Sequence, residues 1–267
     1  MGTVRKSLVN RVALVTGASS GIGRATALAL AREGARVALS SRNAGALEQV
    51  ARRICLRGGQ AMVVPADVTD RQQVERMVSA VLDRWGHIDI LFANAGQYIR
   101  SPIRQLTVQD MERSMAINFY GALYSVLAVL PHMLAQRRGH IVLMSTFDAK
   151  KGLPHDAPYV AAKSALAGFG EVLRQELHGS GVHVTVVFPG RVDTPLIANL
   201  RVPWMSAKIP AESVARAIVH AIYRPRPEVI VPRLTLGLLY VNTISPALGD
   251  LIARMFHLEG WEYGQSR

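Results

Sequence analysis

The sequence has a single cysteine, Cys55, and few aromatic residues, which make up 6% of its 267 residues. One cysteine excludes a disulfide within the chain, and its place in a helical pattern favours a buried, packed thiol over a catalytic one. No segment alternates basic and aromatic residues, and the arginines are dispersed, as at positions 52–53 and 137–138. The net charge of +12 is therefore interpreted as a solvated basic surface that helps to attract an anionic cofactor, and nucleic-acid binding is not expected.

The N-terminus lacks the features of a targeting segment. Its apolar run, residues 12–15, is shorter than the core of a secretory signal and ends in a glycine turn instead of a small-residue cleavage site. Lys6 also breaks the myristoylation pattern. We therefore expect a cytoplasmic protein.

Short apolar runs alternate with longer segments of helical periodicity along the chain. Runs this apolar are typical of strands in a parallel sheet with helices on both faces. The sequence predicts an α/β fold: a single Rossmann-like, doubly wound parallel sheet in residues 1–232, and an apolar helical C-terminal extension, residues 233–267, packed on the same domain. The predicted strands are 12–15, 37–39, 61–64, 90–93, 141–144, 182–188 and 229–231, and the predicted helices are 21–33, 44–57, 71–85, 108–135, 159–178 and 211–223.

Residues 16–23, TGASSGIG, connect the first predicted strand to the first helix. Glycines there allow a pyrophosphate to approach backbone amides at the positive end of the helix. The spacing differs from the commoner G-x-G-x-x-G, but the position between strand and helix favours a dinucleotide site over a purely structural turn. The expected cofactor contacts are Gly17, Ser19, Ser20, Gly21, Ile22 and Gly23.

The end of the second strand indicates which dinucleotide binds. An NAD site places an acidic residue there to bind the ribose 2′-hydroxyl, whereas this chain has Ser41 followed by Arg42. A guanidinium pairs bidentately with a 2′-phosphate. The sequence therefore favours NADP(H), bound at Ser41 and Arg42, and the alternative is an Arg42 that only faces solvent.

Three further motifs follow: Asn94-Ala95-Gly96 after the fourth strand, Asn118 in the long helix, and YVAAK from Tyr159 to Lys163. With TGASSGIG, they resemble the short-chain dehydrogenase/reductase family over about residues 10–232. The resemblance implies that the lysine also contacts the nicotinamide ribose and that Asn118 holds a water of a proton relay.

Elementary chemistry supports the same tyrosine. Tyr159 and Lys163 are four residues apart and share a helix face. A nearby ammonium lowers the pKa of a phenol, which makes Tyr159 a workable general acid or base. The family's usual serine, 13 residues before the tyrosine, is replaced by Thr146, with Ser145 as the alternate. Threonine offers the same hydroxyl, and its methyl group crowds the substrate.

The resemblance implies adenine-ring contacts at Asp67 and Val68, and helix N-capping is an equal alternative for Asp67. Substrate contacts are expected from loops beyond the carboxyl ends of the strands, and their apolar and aromatic residues predict a hydrophobic substrate. His155 is favoured as an ordinary loop residue, and no metal site is expected. The further cofactor contacts implied are Asn94, Ala95, Gly96, Pro189, Gly190, Val192 and Thr194, and the substrate candidates are Ser145, Phe147, His155 and Trp204.

The apolar tail beyond Pro232 is interrupted by Gly237, Pro246 and Gly249. It contains no clean run of about 20 residues, the length of a membrane span. We favour a helical cap over the substrate cleft or a subunit interface, and the alternative is contact with a membrane surface, helped by positive charge. The resemblance implies a homodimer or homotetramer.

These observations predict an NADP(H)-dependent oxidoreductase that transfers a hydride between nicotinamide and a carbonyl or alcohol. One alternative is a dehydrogenase of lipid-like or steroid-like hydroxyls at a membrane surface. Another is a non-catalytic NADP(H) sensor, although a sensor has no need of the proton relay that Asn118, Tyr159 and Lys163 indicate.

Overall fold

A seven-stranded parallel sheet is the centre of the described residues, 8–203 and 206–262 of a computed structural model. The strands are β1 (Val12–Thr16), β2 (Arg36–Ser40), β3 (Gln60–Val63), β4 (Ile90–Ala93), β5 (Gly139–Met144), β6 (Val182–Pro189), β7 (Val192–Asp193), β8 (Leu200–Arg201), β9 (Ile209–Pro210), β10 (Glu228–Val231) and β11 (Trp261–Glu262). The sheet order is β3-β2-β1-β4-β5-β6-β10, while β7 pairs with β9 and β8 with β11. The predicted doubly wound Rossmann-like fold is confirmed.

The helices of the described residues begin close to the predicted positions because local capping signals fix them. Asn43 and Asp70 each accept a hydrogen bond from an amide three residues on, and Thr107 forms a capping box with Asp110. They are α1 (Gly21–Arg32), α2 (Ala44–Cys55), α3 (Arg71–Trp85), α4 (Val108–Met115), α5 (Gly121–Ala135), α6 (Ala157–Glu176), α7 (Ala211–Tyr223), α8 (Leu236–Ile244) and α9 (Pro246–Met255).

Two hydrophobic cores lie on opposite faces of the sheet. Alternating strand residues point to opposite faces, so Val15 and Phe92 pack on one side with α1, α2 and α7, whereas Leu14 and Leu91 pack on the other with α3, α5 and α6. The strands are buried from both sides, which is why their sequences are apolar throughout.

The predicted long helix, 108–135, is interrupted by a π-helical turn, Ala116–Tyr120, between α4 and α5. By length and composition, the segment Val108–Ala135 could cross a membrane. In this fold α4 packs on α6, and α5 packs on α3 and β4. The segment therefore belongs to the layer of helices that covers one face of the sheet.

The prediction of a buried cysteine is wrong. Cys55 is the last residue of α2 and is exposed. The buried face of this helix is formed by Leu47, Val50, Ala51 and Ile54, and the next position after Ile54 points about 100° away around the helix.

Candidate active site

An open cavity of about 360 Å³ lies at the carboxyl ends of the central strands. In open α/β sheets, this is where ligands bind. Of the residues predicted to hold the cofactor, those in the cavity lining are Gly17, Ser19, Ser20, Gly21, Ile22, Ser41, Arg42, Asp67, Val68, Asn94, Ala95, Gly96, Tyr159, Lys163, Pro189, Gly190, Val192 and Thr194.

The glycine turn after β1 exposes backbone atoms to the cavity, because its glycines have no side chains to cover them. Gly17 has a φ of +65°, and a Cβ there would lie 2.8 Å from Asn94 Nδ2. Asn94 Nδ2 in turn donates to the carbonyl of Thr16 at 3.0 Å. The Ser20 side chain makes no capping hydrogen bond to α1, so the first amides of the helix are left for another acceptor. A helix N-terminus of this kind binds anions.

Gly23 has a packing role in the structure. It does not line the cavity. A Cβ at this position would lie 2.1 Å from the carbonyl oxygen of Gly17 and 2.6 Å from Asn94 Nδ2. Gly23 therefore allows α1 to pack against the turn, and the direct approach of a pyrophosphate to Gly23 stays a prediction.

Arg42 and Asp67 lie together at one side of the cavity lining. Arg42 is 72% exposed, and its Nη1 is 3.9 Å from Asp67 Oδ2, which makes a weak, solvated ion pair. Asp67 is not a helix N-cap, because Asp70 caps α3 while Asp67 Oδ1 accepts from Thr69. The capping alternative for Asp67 is therefore wrong.

Asn118 lies in the π-helical turn, a deviation that is frequent at functional sites. The side chain is fully buried and does not line the cavity. Its Oδ1 accepts from the Gln97 amide at 3.1 Å, and its Nδ2 donates to the Gln97 carbonyl at 2.9 Å and to Ser114 Oγ at 3.1 Å. The side chain thus fixes the loop after β4, and the predicted role in a water relay stays a prediction.

Thr146, Tyr159 and Lys163 all line the cavity. The beginning of α6 presents Tyr159 and Lys163 inward, and both are buried. Lys163 Nζ donates to the carbonyl of Met144 at 2.8 Å and lies 5.8 Å from the centre of the Tyr159 ring. The structure therefore brings the predicted proton carrier, its lysine and a hydroxyl to one place.

Ser145 and Thr146 differ in how their hydroxyl groups are used. Ser145 Oγ donates to the carbonyl of Lys163 at 2.9 Å and is buried, so its proton is used in holding β5 to α6. Thr146 Oγ1 accepts from the amide of Asp148 at 3.3 Å and donates to Asp148 Oδ2 at 3.4 Å. Ser145 and Thr146 both line the cavity, and the longer, weaker bond of the Thr146 hydroxyl favours Thr146 over Ser145 as the group that turns to a substrate carbonyl.

Electrostatics around Tyr159 oppose one sequence prediction. Burial, followed by the charge of Asp148, raises the pKa of Tyr159 above its ordinary value. Burial also lowers the pKa of Lys163 to about 7. The net shift of the Tyr159 pKa is therefore opposite to the predicted lowering, because desolvation and the charge of Asp148 outweigh the opposing charge of Arg191.

A buried polar network beside Tyr159 was not predicted. The Tyr98 ring meets the Tyr159 ring edge to face, with the centroids 4.9 Å apart. Tyr98 Oη and Arg100 Nε each donate to Asp156 Oδ1 at 2.8 Å, and Arg191 Nη1 is 3.4 Å from Tyr98 Oη. Asp156 is fully buried, and its Oδ2 has no partner. The network holds Tyr98, and the Tyr98 ring packs against the ring of Tyr159.

The charged members of this network were not among the residues predicted from the sequence. Asp156 lies three residues before Tyr159, and Arg191 lies within the predicted cofactor loop, PGRVDT. These positions were the available signals. Arg100 and Asp156 are 56 positions apart in the chain, so no local pattern indicates that they pair.

The substrate side of the cavity is more polar than predicted. Asp148 and Arg191 line it together with Leu196 and Ile197. Burial raises the pKa of Asp148 to about 6, opposed by the charge of Arg191. The cavity thus offers a carboxyl and a guanidinium beside aliphatic side chains.

Two predicted substrate residues lie outside the cavity lining, and their contact with a substrate stays a prediction. Phe147 is buried in a short 3₁₀ turn. His155 is exposed, with a φ of +71°, and its carbonyl accepts from the Ser101 amide at 2.8 Å. Trp204 lies outside the described residues.

Comparison with known proteins extends these observations. Residues 11–203 match the family described as short chain dehydrogenase. An uncharacterized oxidoreductase of Staphylococcus epidermidis is 37% identical over 80% of this chain and 92% of its own length. A fatty acyl-CoA reductase of Acinetobacter baylyi is 33% identical over 93% of this chain and 84% of its own. An alcohol dehydrogenase from the archaeon Thermococcus sibiricus, solved with 5-hydroxy-NADP, is 25% identical with a TM-score of 0.75, covering 83% of this chain and 95% of that one.

Proposed function

Since this chain belongs to the short-chain dehydrogenase/reductase family of oxidoreductases, we propose that it uses NADP(H) and transfers a hydride between nicotinamide and a carbonyl or alcohol. One observation carries the proposal. The buried Tyr159, Lys163 and Thr146 line the same cavity as the open glycine turn before α1. A proton carrier and a dinucleotide site therefore share one space.

The residues of the cavity fit a dinucleotide. A Cβ at Gly21 would lie 3.0 Å from Thr194 Cγ2. A side chain at this position would therefore narrow the part of the cavity that lies between the glycine turn and the loop after β6. The uncapped N-terminus of α1 suits the pyrophosphate. Arg42 supports the preference for a 2′-phosphate, as does the NADP derivative that the archaeal alcohol dehydrogenase binds.

NADPH, when bound, supplies the hydride, and the residues of this chain manage the proton. Burial keeps Tyr159 protonated at neutral pH, which is the form that carbonyl reduction requires of a general acid. The Thr146 hydroxyl would donate to the developing oxyanion. In the oxidation direction, the same phenol must lose its proton, so the raised pKa favours oxidation only at alkaline pH.

The substrate in this proposal carries both apolar and polar parts. Leu196 and Ile197 offer an aliphatic wall, whereas Asp148 and Arg191 offer hydrogen bonds and charge. The relative that reduces fatty acyl-CoA shows that a chain 33% identical to this one acts on a substrate that combines both. A carbonyl compound with a polar group near the reacting carbon is therefore the first class to test.

A panel of aldehydes, ketones, acyl thioesters and alcohols, followed by nicotinamide absorbance, tests the reaction. We expect NADPH oxidation with at least one carbonyl class and a fall of at least about 10²-fold in kcat for Tyr159→Phe, since the proton donor is lost. Tyr120→Phe is the matched control, because Tyr120 is 43% exposed and does not line the cavity. Binding of NADPH without turnover of any compound would favour a sensor instead.

Cofactor preference is tested separately by measuring Kd for NADPH and NADH by fluorescence. Arg42→Gln is expected to weaken NADPH binding about tenfold. This is the lower end of what a hydrogen bond to a charged group contributes to binding, because the Arg42 side chain is largely solvated. The same substitution should leave the Kd for NADH unchanged. Arg52→Gln, an exposed substitution on α2 outside the cavity lining, controls for net charge. Tighter binding of NADH than NADPH by the wild type would overturn the assignment.

We also propose a homo-oligomer that uses the outer face of α5. Leu127 and Leu134 lie seven residues apart on α5 and are 52% and 40% exposed. Light scattering of the purified chain should give at least twice the monomer mass, and Leu127→Glu should lower it. A monomer at all concentrations would contradict this.

A further inference from the structure

Helices α8 and α9 carry an apolar outer surface that nothing else in the described chain covers. Helix α8 contains no charged residue, and none of its residues is buried. A helix that is apolar on all sides is normally buried, and contiguous exposed apolar residues mark an interaction site. We call this surface the C-terminal patch, and its main members are Leu234, Tyr240, Ile244, Leu248, Leu251 and Met255.

The C-terminal patch is fixed to the body of the protein beside the candidate active site. A Cβ on the cavity residue Gly190 would lie 3.3 Å from Pro232 Cδ, at the base of the patch. Asp250 of α9 forms an ion pair with Lys151, whose side chain is buried. Arg191 Nη2 donates to the carbonyl of Leu258 at 3.0 Å. The patch is therefore a rigid outer face and not a loose tail.

Arginines border the patch. Between residues 233 and 255, the acidic residue is Asp250, which pairs with Lys151. Glu259, beyond α9, lies 3.5 Å from His257. Arg233 and Arg254 are the basic residues of this segment, and both are exposed. An apolar surface bordered by arginines, on a chain of net charge +12, is complementary to a surface that is apolar inside and anionic outside.

We propose that the C-terminal patch lies on the surface of a lipid bilayer that contains anionic lipids, with α8 and α9 in the interfacial plane. The two helices have nine and ten residues. At about 1.5 Å per residue they are roughly half as long as the bilayer core is thick, so they lie on it and do not span it. A second copy of the chain is the less favoured occupant of the patch, because a two-fold contact there would place Arg233 and Arg254 near the same arginines of the second copy.

This inference does not rest on the proposed function. Membrane contact would place the cavity next to the headgroup region, because the base of the patch touches the cavity residue Gly190. The binding test needs neither substrate nor cofactor. A failure of the carbonyl panel therefore leaves the membrane proposal intact, and the reverse also holds.

The test is co-sedimentation of the full chain with vesicles of phosphatidylcholine mixed with phosphatidylglycerol, and with vesicles of phosphatidylcholine alone. We expect sedimentation with the mixed vesicles and weaker sedimentation with the neutral ones. The double variant Leu234→Glu/Ile244→Glu changes side chains that are 87% and 86% exposed. It should lower the sedimenting fraction at least about tenfold, because a carboxylate is disfavoured against acyl chains.

The matched control is Leu56→Glu/Ile103→Glu, which adds the same charge at side chains that are 86% and 74% exposed and lie outside the patch. It should sediment nearly as the wild type does. Thermal unfolding checks that both variants fold. Absence of wild-type sedimentation, or equal losses in both double variants, would overturn the proposal. An oligomer that dissociates only in Leu234→Glu/Ile244→Glu, without vesicle binding, would assign the patch to a second copy.

Discussion

Gly96→Ala adds one methyl group at a crowded point of the candidate active site, between Asn118 and Lys163. A Cβ at Gly96 would lie 2.7 Å from Asn118 Oδ1 and 3.4 Å from Lys163 Nζ. Ordinary contacts of a Cβ begin at 3.4 Å, so the Asn118 amide must move by about 0.7 Å, the difference between 3.4 and 2.7 Å. The backbone of Gly96 does not require glycine, since its φ is not positive. Any cost therefore comes from the contact.

The size of the effect follows from what Asn118 holds. Its side chain makes three hydrogen bonds of 2.9 to 3.1 Å, to both backbone groups of Gln97 and to Ser114. A displacement of this size stretches at least one of them beyond bonding distance inside a buried site. Leaving a buried polar group unsatisfied costs about 1–3 kcal/mol in unfolding free energy. Asn118 holds the loop after β4, whose residues Ala95, Gly96 and Tyr98 line the cavity, so a shift of this loop should lower kcat by about 10²-fold.

Urea unfolding and steady-state kinetics with the best carbonyl substrate measure the two effects. Gly168→Ala is the matched control, because no atom lies within 4 Å of a Cβ there and Gly168 is inside α6. It should raise the unfolding free energy by about 0.5–1 kcal/mol, the helix preference of alanine over glycine. If Gly96→Ala is as stable and as active as the wild type, the crowding inferred around Asn118 is not real.

Three further predictions concern the proton chemistry. Thr146→Ala should lower kcat at least about 10²-fold in steady-state assays, whereas Ser145→Ala should mainly lower the urea midpoint; the opposite pattern would exchange their roles. Asp148→Asn removes a charge that raises the pKa of Tyr159, so the rise of alcohol oxidation with pH should move to lower pH, and an unmoved profile would contradict this. Burial lowers the pKa of Lys163 to about 7, so folding releases its proton, and wild-type stability relative to Lys163→Met should increase from pH 7 to 9 in urea titrations; a constant difference would refute it.

The strands and most helix bounds were predictable because their signals are local. Parallel strands buried on both faces must be apolar throughout, and caps such as Asp70 lie next to the helices that they begin. The π-helical turn at 116–120 was not predictable in this way, because its sequence has the same apolar periodicity as an α-helix. The exposure of Cys55 was not predicted correctly, because Cys55 is the last residue of α2 and its direction around the helix axis alone decides whether it is buried.

The proximity of Tyr159 and Lys163 was predictable for the same reason, since both belong to one helical turn. The electrostatics of this pair were not, because the pKa of Tyr159 depends on Asp148, which follows β5, and on burial by elements far apart in the chain. A sequence shows that a lysine is near a tyrosine along a helix. It does not show that both are desolvated together, which reverses the direction of the shift.

The buried charges near Tyr159 also link the catalytic end of the cavity to the C-terminal extension. Asp156 is a fully buried carboxylate that two donors, Tyr98 and Arg100, hold in place. Arg100 and Arg191 also donate to the carbonyl of Glu259, each at 3.2 Å. Removing one partner of a buried charge is costly, so the segment after α9 cannot detach without exposing or orphaning these arginines. The position of the Tyr98 ring, and hence the packing of Tyr159, therefore depends on the extension being docked.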